Sequence, residues 1–259
     1  MTGGANENRI GETFALDTKV IGHRGSAAYA PENTLAGFRE ALRRGCRWVE
    51  LDVRLSRDGV PVLMHDPGLE RTTSGHGSVG EHDAGALAGL DAGRWFGAAY
   101  SGERLPRLDE ALRLLGDLGM RVVIEIKGGD GRERETARIV GEMLRRDERL
   151  RAPVRIVSSF SEQVLEAMRE VAPEMPRALL TRRLEGDWLG TLRRLGCAAV
   201  HARHDALTPE AIEAAKREGF KVLAFTVNSP DRARELLSFG VDAVITDVPD
   251  RIAAALATQ

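Results

Sequence analysis

The stretch Arg47-Trp48-Val49-Glu50-Leu51-Asp52-Val53-Arg54-Leu55 alternates apolar and charged side chains. Successive residues of a β-strand face opposite sides, so Val49, Leu51 and Val53 share one face and Glu50, Asp52 and Arg54 the other. A second run, Arg121–Lys127, repeats the pattern: Val122, Ile124 and Ile126 on one side, Glu125 and Lys127 on the other. Which face lies inside depends on what surrounds these strands.

From Lys19 onward, short β-branched apolar runs alternate with helical patterns, the rhythm of a parallel sheet. The expected strands are Lys19–Gly22, Arg47–Leu55, Arg121–Lys127, Val154–Ser158, Arg177–Thr181, Ala198–His201, Lys221–Thr226 and Asp242–Thr246. Amphipathic segments between them include Leu35–Arg44, Glu133–Arg145, Glu162–Val171, Pro209–Arg217 and Pro230–Phe239, with Asp187–Leu195 supplying a short helix. Eight strands suit a closed α/β fold, the (β/α)8 TIM barrel, better than an open sheet. The 259 residues are close to the ~250 typical of that barrel, so 1–259 reads as one domain. Asn33, Ser161 and Thr208 stand where helix caps are needed. Gly45, Gly196, Gly219 and Gly240 each fall between a helix and the next strand, where a left-handed residue ends the helix.

Residues 66–107 break the rhythm. Nine glycines fall there, where average usage of ~7% gives about three, together with Trp95, Phe96 and Tyr100. Such a stretch reads as a small inserted subdomain after the second strand, over the barrel mouth.

In a barrel the apolar face of each strand packs on the helices, which turns Glu50, Asp52, Arg54, Glu125 and Lys127 inward. Barrel interiors are normally filled by branched apolar side chains. Buried carboxylates cost several kcal/mol each, in order of magnitude, unless compensated. A hard divalent cation with oxygen ligands, Mg2+ or Ca2+ with Mn2+ also suitable, compensates best. The alternative is an internal salt-bridge network among the same five residues. His23 follows the first strand and His65 ends a short extended run, Val60–Met64. Two imidazoles can act as general acid and general base across one phosphorus centre. Arg24 and Lys127 supply fixed positive charge for phosphoryl oxygens. His76 and His82 fall in the insertion and read as exposed; His201 and His204 follow the sixth strand and are expected at the mouth.

Composition excludes other classes. A net charge of −2 gives no basic surplus for nucleic acid. No stretch approaches the ~18 apolar residues of a membrane span, and Met1–Asp17 lacks the apolar core of a secretory signal. Cys46 and Cys197 form no metal-type or redox-type pair, so a cytoplasmic chain is expected.

These residues sit in motifs that resemble the glycerophosphodiester phosphodiesterase family from about Val20 to Pro249. The motifs are Gly22-His23-Arg24-Gly25, Pro31-Glu32-Asn33-Thr34, Glu50-Leu51-Asp52-Val53, His65-Asp66 with Leu69-Glu70-Arg71-Thr72-Thr73, Glu125-Ile126-Lys127, Ser158-Ser159-Phe160, Thr226-Val227-Asn228 and Asp247-Val248-Pro249. The resemblance implies metal carboxylates at Glu50, Asp52 and Glu125, catalytic histidines at His23 and His65, and phosphate contacts from Arg24 and Lys127. It implies hydrolysis of glycerophosphodiesters such as glycerophosphocholine or glycerophosphoethanolamine to glycerol 3-phosphate and an alcohol. Phe160 and Phe225 are expected in the substrate pocket; Phe225 stands where many members carry tryptophan. The attacking group is water or the substrate's own 2-hydroxyl, and either histidine can be the base. Competing readings are a lysophospholipase D-type enzyme using the same site, a noncatalytic phosphate-ligand barrel, and a metal-dependent lyase acting on carbon. The insertion is read as a lid, a dimer surface or both, which leaves a homodimer open.

Overall fold

The computed structural model describes residues 15–257. Among them the strands are β1 (Val20–Gly22), β2 (Trp48–Leu55), β3 (Pro61–Leu63), β4 (Arg121–Ile126), β5 (Val154–Ser159), β6 (Arg177–Thr181), β7 (Ala199–Arg203), β8 (Lys221–Phe225) and β9 (Ala243–Thr246). Eight pair in parallel in the order β1-β9-β8-β7-β6-β5-β4-β2, and β1 pairs with β2, so the sheet closes into a TIM barrel. Each of the eight expected strands is present. The extra strand, β3, lies antiparallel on the end of β2, with Val53 opposite Leu63 and Leu55 opposite Pro61. It is the extended run that delivers His65.

The helices are α1 (Leu35–Arg43), α2 (Ala84–Leu87), α3 (Leu108–Asp117), α4 (Glu133–Arg146), α5 (Glu148–Arg151), α6 (Glu162–Val171), α7 (Trp188–Leu195), α8 (Pro209–Arg217), α9 (Pro230–Ser238) and α10 (Pro249–Ala257). Gly45, Gly196, Gly219 and Gly240 follow helices at φ of 79°, 61°, 84° and 102°, as expected of left-handed stops. One cap differs. The residue capping α1 is Thr34, whose Oγ1 accepts from Gly37 N at 3.1 Å, not Asn33. Both residue types cap helices well, but Asn33 sits at φ 56° with its amide turned into the barrel, where it meets Asp52. A tertiary partner has overridden the local one.

The outer face of β2 and β4 (Val49, Leu51, Val53, Val122, Ile124, Ile126) packs against Phe38 of α1, Leu112 of α3 and Val140 of α4. Inside, Ile21, Trp48, Val123, Ile156, Ala178, Leu223, Ala243 and Ile245 form an apolar cluster from strands all round the barrel. Glu50, Asp52 and Glu125 come next along β2 and β4, toward the C-terminal rim. Register then sets neighbours: Asp52 lies opposite Glu125, and Gly22 opposite Val49, which brings His23 level with Glu50.

The insertion has its own small core of Met64, Leu69, Val79, Leu87, Ala92 and Leu105. It is tied to the barrel by Ala36 N donating to the Glu103 carboxylate at 3.1 Å and by Tyr100 O–H donating to Tyr29 O at 3.0 Å. His201 departs from expectation. It lies within β7, between Leu180 and Leu223 in register, and is fully buried rather than at the mouth. Burial pushes its pKa down to about 3, so the ring is neutral. Cys46 and Cys197 are buried and free, and burial raises their thiols to about 11 and about 12. No described helix is long and apolar enough to cross a membrane. Of the N-terminal stretch judged to lack a signal core, residues 1–14 lie outside the described residues.

Arg177, at the start of β6, is fully buried without a carboxylate. Its Nη1 donates to Met175 O at 2.9 Å and Pro173 O at 3.2 Å, and its Nη2 to Gly196 O at 3.0 Å, joining the ends of α6 and α7. Arg177→Leu is expected to lower unfolding free energy by roughly 2–4 kcal/mol, because those carbonyls lose their donors. Denaturant melts would read this; an unchanged midpoint would mean water replaces the guanidinium.

Candidate active site

Glu50 and Asp52 from β2 and Glu125 from β4 each bring a carboxylate oxygen within 4.8 Å of the others, and all three are buried. They are held differently. Asn33 clamps Asp52: its Nδ2 donates to Oδ2 at 2.8 Å while its Oδ1 accepts from Asp52 N at 3.1 Å. Arg24 Nε stands 3.1 Å from Asp52 Oδ2, and Lys127 Nζ 3.2 Å from Oδ1 and 2.5 Å from Glu125 Oε1. Glu50 Oε2 accepts from Arg24 N at 3.1 Å, but its Oε1 is buried with no hydrogen-bond partner.

The electrostatics follow. Burial opposes ionisation of Asp52, yet Lys127 and Arg24 hold it far below the usual carboxylate range. Burial and the neighbouring Asp52 charge push Glu50 well up, and raise Glu125 to about 7. Arg24 and Lys127 thus face three carboxylates, and the protein cations do not balance the cluster. A divalent cation fits this set: the donors are all hard oxygens, and the orphaned Glu50 Oε1 lacks only a positive partner. The salt-bridge network expected as the alternative forms in part, through Lys127. Arg54 does not join it; its Nε donates to His65 O at 3.0 Å, and its nearest acid is Asp130 at 3.8 Å.

Each histidine is backed by a carboxylate. His23 Nδ1 donates to Asp247 Oδ1 at 2.6 Å, and Asn228 Nδ2 donates to the other oxygen at 2.6 Å. His65 Nδ1 donates to Asp66 Oδ1 at 2.5 Å. Bonding to Arg71 is the main reason Asp66 is held down to about 2. An ionised carboxylate only accepts, so each Nδ1 carries hydrogen and Nε2 is the nitrogen left over. Burial lowers the His65 pKa, which favours its neutral form. Arg71 also grips Glu32 at 2.7 and 2.8 Å, and Glu32 accepts from Arg24 Nη1 at 2.8 Å, so the insertion is wired into the site.

His23, His65, Arg24, Lys127 and Glu125 line one cleft of about 540 Å³. Phe160 and Phe225 form its far wall, edge to face at 5.9 Å, with the Arg182 guanidinium 4.8 Å over the Phe160 ring. All nine residues expected from sequence therefore gather at the C-terminal end of the barrel. His201 and His204 do not line the cleft. A hollow of about 490 Å³ at the opposite end, around Lys19, Arg47 and Arg121, contains neither a histidine nor an acidic cluster. Sequence reasoning missed Asn33, Asp66, Asp247, Asn228 and Arg182 as site residues. The partner of one ring nitrogen fixes a histidine's tautomer, and Asp66, next to His65, could have been found on that ground. Asp247 is 224 residues from His23, and only folding joins them.

The family model for the glycerophosphoryl diester phosphodiesterase family matches residues 23–251. A glycerophosphodiester phosphodiesterase of Caldanaerobacter subterraneus is 35% identical over 92% of this chain and 97% of its own. Among solved structures, an Oleispira antarctica phosphodiesterase in complex with the product sn-glycerol-3-phosphate is 37% identical, with a TM-score of 0.88 over 93% of this chain and 97% of its own. A glycerophosphodiester phosphodiesterase from Agrobacterium tumefaciens is 31% identical, with a TM-score of 0.76 over 92% of this chain and 99% of its own. With a buried oxygen cluster and two carboxylate-backed imidazoles in one cleft, and these likenesses along almost its whole length, the chain belongs to the glycerophosphoryl diester phosphodiesterase family and is a phosphoric diester hydrolase.

Proposed function

We propose that the chain hydrolyses water-soluble glycerophosphodiesters, such as glycerophosphocholine or glycerophosphoethanolamine, to glycerol 3-phosphate and the free alcohol. The observation that carries this is the pairing of two imidazoles, each with Nδ1 committed to an aspartate, beside a buried set of three carboxylates. Glu50, Asp52 and Glu125 would hold a divalent ion, Mg2+, Ca2+ or Mn2+. When bound, the ion supplies charge neutralisation at phosphorus and a ligand position for substrate oxygen.

The chain's own residues do the rest. Arg24 and Lys127 line the cleft and would bear on the phosphoryl oxygens. One imidazole Nε2 takes the proton of the attacking hydroxyl, from water or the substrate's glycerol 2-hydroxyl. As the phosphorus–oxygen bond to the alcohol breaks, the other imidazolium gives its proton to the departing oxygen. On the 2-hydroxyl route this leaves a cyclic phosphate, which water then opens, the two imidazoles exchanging roles, to give glycerol 3-phosphate. Asp247 and Asp66 hold each ring in the tautomer that leaves Nε2 for this work and stabilise its charged form. The lining favours a soluble diester over a lysophospholipid: Arg24, Arg54, Lys127 and Arg182 share the cleft with Phe160 and Phe225, and the Arg182 guanidinium stands over the Phe160 ring.

His23→Ala or His65→Ala is expected to lower kcat by at least ~10²-fold in protein that still melts cooperatively. Assays on an alkyl diester and a p-nitrophenyl diester separate the roles. Replacing the acid should cost far less on p-nitrophenolate, which departs without a proton, and replacing the base should cost the same on both. Near-normal turnover in either variant removes that histidine from the mechanism. Excess EDTA should abolish activity and a divalent ion restore it; full activity under chelation would sink the cation site. Asn33→Ala, which removes the amide that orients the Asp52 carboxylate, should raise the metal concentration needed for half activity by about 10–100-fold.

A further inference from the structure

A second cleft, of about 400 Å³, opens on the other side of His23 and Arg24, between the loop after β1 and the insertion. The two clefts share those two residues and no others; His65, Lys127 and Glu125 line only the first, Trp95 and Arg71 only the second. Resting on the function proposed above, we propose that the second cleft is the subsite for the departing alcohol, with Trp95 as its recognition surface and an ammonium-bearing alcohol as its preferred occupant.

The argument begins with the shape of a phosphodiester, whose two arms diverge from phosphorus. With the phosphoryl group at Arg24 and His23, each arm has one cleft to enter. The glycerol arm carries two free hydroxyls, hard oxygen donors that suit the cation cluster, and Glu125 of that cluster opens into the first cleft. The alcohol arm is left with the second.

Charge points the same way. The first cleft is lined by Arg24, Arg54, Lys127 and Arg182 against Asp66 and Glu125, and Arg182 already covers the Phe160 ring that a cationic group would seek. The second sets Arg24 and Arg71 against Glu32 and Asp247, a balanced lining that does not repel a cation. Trp95 is among the few exposed large hydrophobics of the described residues, at 41% of full exposure. Its indole is fixed from behind: Nε1 donates to Ala92 O at 2.9 Å, and the ring meets Phe96 edge to face at 5.6 Å. Phe96 in turn packs on Tyr100 at 5.5 Å, and Tyr100 is bonded to the loop after β1. An exposed indole held this rigidly is a ready cation–π platform, since no side-chain freedom is lost when a ligand stacks on it.

The test compares glycerophosphocholine with the methyl ester of glycerol 3-phosphate, which keeps the diester and glycerol but has no headgroup. Steady-state kinetics are measured with metal-loaded wild type, Trp95→Ala, Trp95→Phe and Arg182→Ala. Trp95→Ala should lower kcat/KM for glycerophosphocholine roughly tenfold, mainly through KM, and change the methyl ester by less than about twofold. Trp95→Phe should restore part of the difference, and Arg182→Ala should leave the ratio between the two esters unchanged. The methyl ester also serves as the folding control. A ratio insensitive to Trp95, or one that moves with Arg182 instead, would overturn the subsite. Wild-type protein that hydrolyses neither ester would overturn the proposed function itself, and this inference with it.

Discussion

Three carboxylates packed into the interior of a closed barrel are the constraint around which the molecule is arranged. Taking an ion out of water costs several kcal/mol, in order of magnitude, and like charges on adjacent strands add to it. The protein meets this unequally. Asp52 receives Arg24, Lys127 and both ends of the Asn33 amide, whereas Glu50 keeps an oxygen with no partner at all. A site balanced by its own cations would have no use for another. This one is left short of positive charge on the side where its oxygens converge, and those oxygens could hold a hard cation there.

The same trade is made at both imidazoles. An aspartate behind each ring fixes the tautomer, and each aspartate is itself pinned: Asp247 by Asn228, and Asp66 by Arg71. These supports come from loops after β8 and β9 and from the insertion, so the site collects elements that are remote in the chain. Loops at the C-terminal rim can be specialised in this way because the apolar residues within the barrel carry stability independently of them.

The insertion is more than an appendage to this scheme. Through Arg71 and Glu32 it reaches the guanidinium of Arg24, and through Tyr100 it grips the loop that carries Asn33. Its aromatic ladder from Tyr100 to Trp95 ends beside His23, where the second cleft opens. The barrel carries the carboxylate cluster, and the insertion walls the second cleft with Arg71, Trp95 and Phe96.

Much of this was legible in the residues alone. Alternation in Arg47–Leu55 and Arg121–Lys127, with helical segments between short apolar runs, determined the barrel and the inward acids, because side-chain period depends only on local backbone geometry. Glycine positions determined where helices stop, for the same local reason. Tertiary structure alone decided what pairs across the fold. Asn33 left the cap of α1 to Thr34 because Asp52 offered a buried partner, and Arg54 turned to the backbone of His65 rather than to the acids. His201 sank into β7, and Asp247 came to His23 from the far end of the chain. Each outcome is a competition between groups distant in sequence, and hydrogen bonding in a buried, low-dielectric interior settles it only once the barrel has closed.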